Sequence, residues 1–225
     1  MDLFKTSLTV QQTDLNPLTY STSFGDVYFD LTINEKKIKN FKPFKTVVFQ
    51  KTIISSWNIE NCHIEFLQVH FKPKIPFSMG VETCLAGIWR IKCLSKEPLL
   101  IFKTILNNLL LESKGFPESG EGLISIAFED DKMQLSIGTE DEDFLASRSR
   151  VKEWMPNRFS KDTFESSIEL LPNGIEIDLP CLKEKDSIQI QFVVASSLKK
   201  KHNETSCWFA VEQSPEYILK EAGVI

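Results

Sequence analysis

Along this chain the apolar positions recur mainly with a period of two, as they do in strands that bury one face. Residues 27–33 read V-Y-F-D-L-T-I, residues 46–54 are β-branched and apolar, and residues 62–71 read C-H-I-E-F-L-Q-V-H-F. Residues 81–94 form another long extended run with Trp89 in its middle. Residues 167–180 predict a hairpin, because Ile168-Glu169-Leu170-Leu171 and Ile175-Glu176-Ile177-Asp178-Leu179 flank Pro172-Asn173-Gly174. Asn-Gly accepts the positive φ angles of a tight reversal, and the alternating Ile/Glu arm has one buried and one wet face. A second hairpin is expected over 123–139 around Asp130-Asp131-Lys132. A third has arms 187–196 and 206–212 around the polar loop 198–205.

One stretch carries a helical period. Over 97–114 the residues Leu99, Phe102, Leu106, Leu109 and Leu110 form a stripe, Ser95 can cap the start, Pro98 suits the first turn and Gly115 can stop it. Shorter helices are expected near 145–153 and 215–222. Runs of strands without strict β-α alternation predict an α+β fold. The expected architecture is a single domain, residues 1–225, of mostly antiparallel β-sheet, sandwich-like or open, with one main helix near 97–114 packed on it. Residues 115–122 offer the best internal boundary.

The 225 residues include 17 Phe and are 42% apolar, enough for a substantial core. The net charge of −5 conceals a segregation. Residues 118–143 hold nine carboxylates and one cation, Lys132, whereas residues 36–51 hold six lysines and no acid. Like charges gathered in this way select partners through their summed field. The N-terminal Met1-Asp2-Leu3-Phe4-Lys5 lacks the basic and apolar regions of a secretory signal, and no window of about 18 apolar residues exists. We therefore expect a cytoplasmic protein without a membrane span. Five widely spaced cysteines, Cys62, Cys84, Cys93, Cys181 and Cys207, suit buried thiols better than a disulfide framework.

Known chemical motifs fit poorly. Residues 115–122 begin G-x-x-x-x-G but lack the Lys-Ser/Thr of a phosphate loop, and Glu121 would repel an anion. His63 and Glu65 share one face of an extended strand and could act as an acid–base pair, while Cys62, His70 and Cys84 invite comparison with a zinc site. The close paired spacing of such a site is missing, so no metal and no cofactor are expected. Cys207-Trp208 with His202 faintly suggests a thiol nucleophile and base, without the flanking pattern of a cysteine protease. The consecutive acids 140–143 lack the alternating spacing of a calcium loop. Lysines interleaved with Phe41, Phe44 and Phe49 could hold nucleic acid, but a strand connection with lysines outward explains them better.

These readings identify no catalytic residue. The leading expectation is a non-catalytic protein–protein interaction module, like an inhibitor or immunity protein in its physics alone. Its acidic docking face of Glu129, Asp130, Asp131, Glu140, Asp141, Glu142 and Asp143 would meet a basic protein partner. The alternative is a small hydrolase or metal-dependent enzyme built on His63 and Glu65.

Overall fold

The computed structural model describes residues 17–76, 79–95, 97–107, 115–120, 122–151, 154–200 and 203–224. In chain order the first strands are β1 (Thr19–Thr22), β2 (Gly25–Ile33), β3 (Lys36–Lys37), β4 (Lys45–Phe49), β5 (Thr52–Ile59), β6 (Cys62–His70) and β7 (Thr83–Cys93). There follow β8 (Leu100–Asn107), β9 (Phe116–Gly120), β10 (Leu123–Glu129) and β11 (Met133–Glu140). Helices α1 (Glu142–Val151) and α2 (Lys161–Glu165) precede β12 (Ile168–Leu171), β13 (Gly174–Leu179) and β14 (Ser187–Leu198). Helices α3 (Ser206–Val211) and α4 (Pro215–Glu221) complete the series.

The strands form two antiparallel sheets. One has the order β1-β2-β8-β13-β12, with β3 also paired to β2, and the other has the order β4-β5-β6-β7-β14-β11-β10-β9. Their inner faces share one apolar core, to which the smaller sheet gives Val27, Phe29, Leu31, Phe102 and Ile177. The larger sheet gives Ile64, Phe66, Trp89, Ile137, Ile190 and Phe192. This is a sandwich-like arrangement of two sheets closed on a common interior. The approach is closest at Gly87 of β7, where a Cβ would lie 2.6 Å from the Phe29 ring of β2. Phe29, Phe66 and Trp89 then follow one another, with ring centroids 5.5 and 4.4 Å apart.

The outer face of the larger sheet carries a second core. Leu67, Val69, Ala86, Ile88, Val193 and Ala195 project from it against Cys207, Ala210 and Val211 of α3 and against Ile218 and Leu219 of α4. Gly138 of β11 lets α3 lie flat, since a Cβ there would meet Val211 at 2.9 Å. Ser214 caps α4 by accepting from the Tyr217 amide, and Pro215 occupies the first turn. The short helices foreseen near 145–153 and 215–222 correspond to α1 and α4. No helix among the described residues is long and apolar enough to cross a membrane.

Three elements differ from the sequence expectation. The single extended run expected over 46–54 is two antiparallel strands, β4 and β5, with Phe49 opposite Thr52 and Gln50 at positive φ in the turn between them. The expected main helix over 97–114 is instead strand β8 across Leu100–Asn107, and residues 108–114 lie outside the described residues. Leu100, Phe102, Thr104 and Leu106 are buried while Ile101, Lys103 and Ile105 are half-exposed, a period of two, and Leu99 is exposed. The leucine stripe fits both periods. Pairing with β2 on one side and β13 on the other decides between them, because long-range ladders and core burial outweigh a weak local preference. The fold is accordingly more β-rich than an α+β domain with a large helix.

The second arm of the expected third hairpin is helix α3. Strand β14 pairs with β7 and β11 instead, and residues 206–211 fold over the sheet. The expected boundary at 115–122 contains strand β9, paired in register with β10.

Strand β8 can be tested by urea denaturation. Phe102→Ala should cost about 3–5 kcal/mol. Lys103→Ala, which removes only the partly exposed ion pair with Glu176, should cost less than about 1 kcal/mol.

Candidate functional site

The seven expected docking acids fall into two separate groups. Glu129 pairs in register with Gln134 and Glu140 with Leu123, so six residues of strand, about 20 Å, lie between the groups. At the first, Asp130 accepts from the backbone amides of Lys132 and Met133 at 2.7 and 2.8 Å. These bonds, followed by weaker attraction to nearby lysines, hold its carboxyl below the usual carboxylate range. Glu129 pairs with Lys199 at 3.1 Å, and Asp131 is exposed.

The second group is the entry to α1. Asp141 accepts from the Phe144 amide at 2.9 Å, as an N-cap does, and Glu142 and Asp143 occupy the first turn, where negative charge complements the helix dipole. Asp143 also pairs with Lys161 at 2.8 Å. Glu140 is only 5% exposed and forms a buried ion pair with Arg148, which also donates to the Gln189 carbonyl at 3.0 Å. Of the seven acids, Glu140 is buried in an ion pair, Asp130 and Asp141 engage backbone amides, and Glu129 and Asp143 make exposed ion pairs that contribute little.

His63 and Glu65 lie side by side on the outer face of β6, with Nε2 and Oε1 3.8 Å apart, and His63 Nδ1 is 2.9 Å from Asn58 Oδ1. Register continues this row from Glu65 to Arg90 on β7 and Gln189 on β14, where Arg90 donates to Gln189 at 2.8 Å and lies over the Trp154 ring. Both side chains are more than a third exposed. Among the described residues no group of three His, Cys, Asp or Glu side chains is placed to hold a metal ion. Cys207 is buried, and desolvation pushes its thiol up to about 11 despite hydrogen bonds with Ser197 and Ser206, opposite to the lowering that activates a nucleophile. His202, its imagined base, lies outside the described residues.

The most developed concavity is one that sequence reasoning missed. An open cleft of about 630 Å³ lies on the outer face of the larger sheet, between strands β9–β11 and the start of α3. Phe116, Glu118, Ala127, Glu129, Gln134 and Ser136 line it from the strands, and Glu204, Thr205, Cys207 and Trp208 line it from the helix side. The pairings Phe116↔Ala127 and Glu118↔Ser125 put the first two residues on the same face as Ala127 and Ser125, and Ser125 donates to Glu118 at 3.1 Å. Phe116 is 57% exposed and Trp208 half-buried.

Beneath the cleft, the Gln134 side-chain nitrogen lies 2.6–3.0 Å from Ser197 Oγ, the Asn203 carbonyl and Ser206 Oγ and shares its two hydrogens among these acceptors, anchoring α3 to β11 and β14. The cleft thus combines aromatic faces, three carboxylates and hydroxyls over a braced base. Its size lies within the range of about 300–1,000 Å³ usual for small-molecule sites. The Phe116-Pro117-Glu118 run and the Cys207-Trp208 pair were visible separately, but nothing local indicated that they meet.

The buried pair beside α1 can be tested by denaturation. Arg148→Met, which removes the guanidinium from the buried Glu140 carboxylate, should cost about 3–5 kcal/mol, and adding Glu140→Leu should recover most of that loss.

No protein-family profile matches the chain, and no curated protein matches it in sequence. Solved structures do match in fold. One of them, a chain from the human microbiome bearing the name of a kojibiose phosphorylase, superimposes with a TM-score of 0.50 at 10% identity over 87% of this chain. The present chain spans 26% of that protein's length. The expectation of a non-catalytic interaction module with an acidic docking face is therefore corrected: the fold is shared with an enzyme chain, and the acids that were to form the face are mostly spent on caps, a turn and ion pairs.

Proposed function

We propose that this chain handles carbohydrate, and that the β9–β11/α3 cleft receives a mono- or disaccharide. The observation carrying the reading is the pairing of two aromatic rings, exposed Phe116 and half-buried Trp208, with the carboxylates Glu118, Glu129 and Glu204 around one open cleft. A pyranose ring has apolar C–H faces that lie on aromatic planes and hydroxyls whose protons seek charged acceptors. Trp208 and Phe116 serve as platforms in this reading, and Glu118, oriented by Ser125, accepts sugar hydroxyls. The likeness in fold to a protein named for the disaccharide kojibiose supports the same class of ligand.

A second reading keeps His63 and Glu65 as the acid–base pair of a small hydrolase. It is favoured by their 3.8 Å separation and by the enzyme name of the structural neighbour. The pair does not line the β9–β11/α3 cleft, so a substrate would approach it on the open sheet face beside Arg90.

The test is titration of the full chain with kojibiose, maltose and cellobiose, followed by tryptophan fluorescence and calorimetry. At least one sugar should bind, and Trp208→Ala or Glu118→Gln should weaken it about tenfold to a hundredfold, as loss of one good contact does. Absence of binding by every sugar at about 10 mM, or binding indifferent to both substitutions, would overturn the cleft reading. Turnover of a saccharide abolished by His63→Ala or Glu65→Gln, with binding intact, would favour the second.

A further inference from the structure

Cys62 and Cys93 stand directly opposite one another across the β6–β7 ladder. Both are fully buried on the inner face of the larger sheet. The Leu94 amide donates to the Asn61 carbonyl at 2.8 Å, whereas the Cys93 amide turns the other way, to the Asp186 carbonyl at 2.9 Å. Cys62 and Cys93 are therefore a non-hydrogen-bonded pair, in which Cα atoms approach to about 4.5 Å and side chains lie closest. That spacing falls inside the range of about 4.4–6.8 Å that a disulfide spans. The two thiols face each other closely enough for each to influence the other's ionisation.

The other cysteines are placed differently. The Cys84 thiol points to the Ala210 carbonyl at 3.9 Å on the outer face, Cys207 bonds to Ser197 and Gln134, and Cys181 is exposed. We infer that Cys62 and Cys93 are a cross-linking site, forming a disulfide that clamps β6 to β7 when the chain meets a two-electron oxidant of the peroxide class. Each thiol gives up its hydrogen and one S–S bond forms, while the two protons and two electrons cleave the peroxide O–O bond, giving two molecules of water from hydrogen peroxide. Burial pushes the Cys62 thiol up to about 12 and raises that of Cys93, so little thiolate exists in the closed fold. Oxidation consequently runs through opening of the strands or during folding. The closed loop, residues 62–93, contains both strands, so the bond limits the unfolded chain without requiring a change in register.

The test uses the reduced full chain exposed to hydrogen peroxide, and separately to oxidised glutathione, each in buffer and in sub-denaturing urea. Samples are alkylated under denaturing conditions and digested without reduction for mass spectrometry. A peptide linking Cys62 to Cys93, two hydrogens lighter than its reduced parts, should appear while Cys84, Cys181 and Cys207 remain alkylated. The melting temperature should rise by about 5–15 °C and fall again with dithiothreitol. Alkylation of both residues under every condition, glutathione adducts without the cross-link, or links to the other cysteines would overturn the inference. A melting-temperature rise that survives in Cys93→Ser would also overturn it. Should that variant fail to fold, the peptide map of the native chain decides alone.

Discussion

The contact on which the remainder of this structure depends is the seating of β2 against β7, where the Phe29 ring fills the space left by the missing side chain of Gly87. Two sheets can share one interior only if their inner faces interdigitate at the density of a solid, and a large ring opposite a glycine is one way to achieve it. Phe66 and Trp89 extend the contact along the larger sheet, and every second residue of the flanking strands adds to the same interior. Once that layer is fixed, the outer face of the larger sheet is fixed too, because the side-chain period in a strand is two.

The outer face is where the chemistry gathers. One part is covered by α3 and α4, whose apolar sides pack on Val193, Ala195, Ala86 and Ile88. At the edge strands β9–β11 the cover stops short and a cleft remains, with Trp208 and Glu204 on one side and Phe116 and Glu118 on the other. The Gln134–Ser197–Ser206–Asn203 network beneath it is closed on itself, so α3 is held by directional bonds as well as by burial. The outer face thus keeps a supported base under the open cleft. The carboxylates of residues 140–143 lie apart from the cleft: Glu140 is buried against Arg148 and the following ones lie at the start of α1.

How far the chain could be read in advance is clearest element by element. The hairpin across Pro172-Asn173, the hairpin from β10 to β11 and the long strands β2, β6 and β7 were legible because each has its period within a short window, whereas 46–54, read as one run, is divided between β4 and β5. Strand β8 was not, because a leucine-rich run satisfies both a helical and an extended period, and its neighbours β2 and β13 are remote in sequence. Helix α3 was mistaken for a strand for the same kind of reason: Cys-Trp-Phe-Ala-Val suits either state, and the polar network under it involves residues far along the chain. The acidic segment was legible as a concentration of charge, but its local roles were not, since sequence counts carboxylates without revealing which of them an amide or a guanidinium already engages.

By itself, then, the sequence determined the predominance of antiparallel strands, most of the turns and the helices near either end of β12–β14, all of which follow from local periodicity and backbone preference. The tertiary structure decided the rest. It set which sheet each strand joins, turned 100–107 into a central strand, buried Glu140, and brought Phe116 and Glu118 to Trp208 across some ninety residues of chain. Those outcomes rest on pairing and packing between distant segments, whose free energies exceed local preferences and are not written in any short stretch of residues.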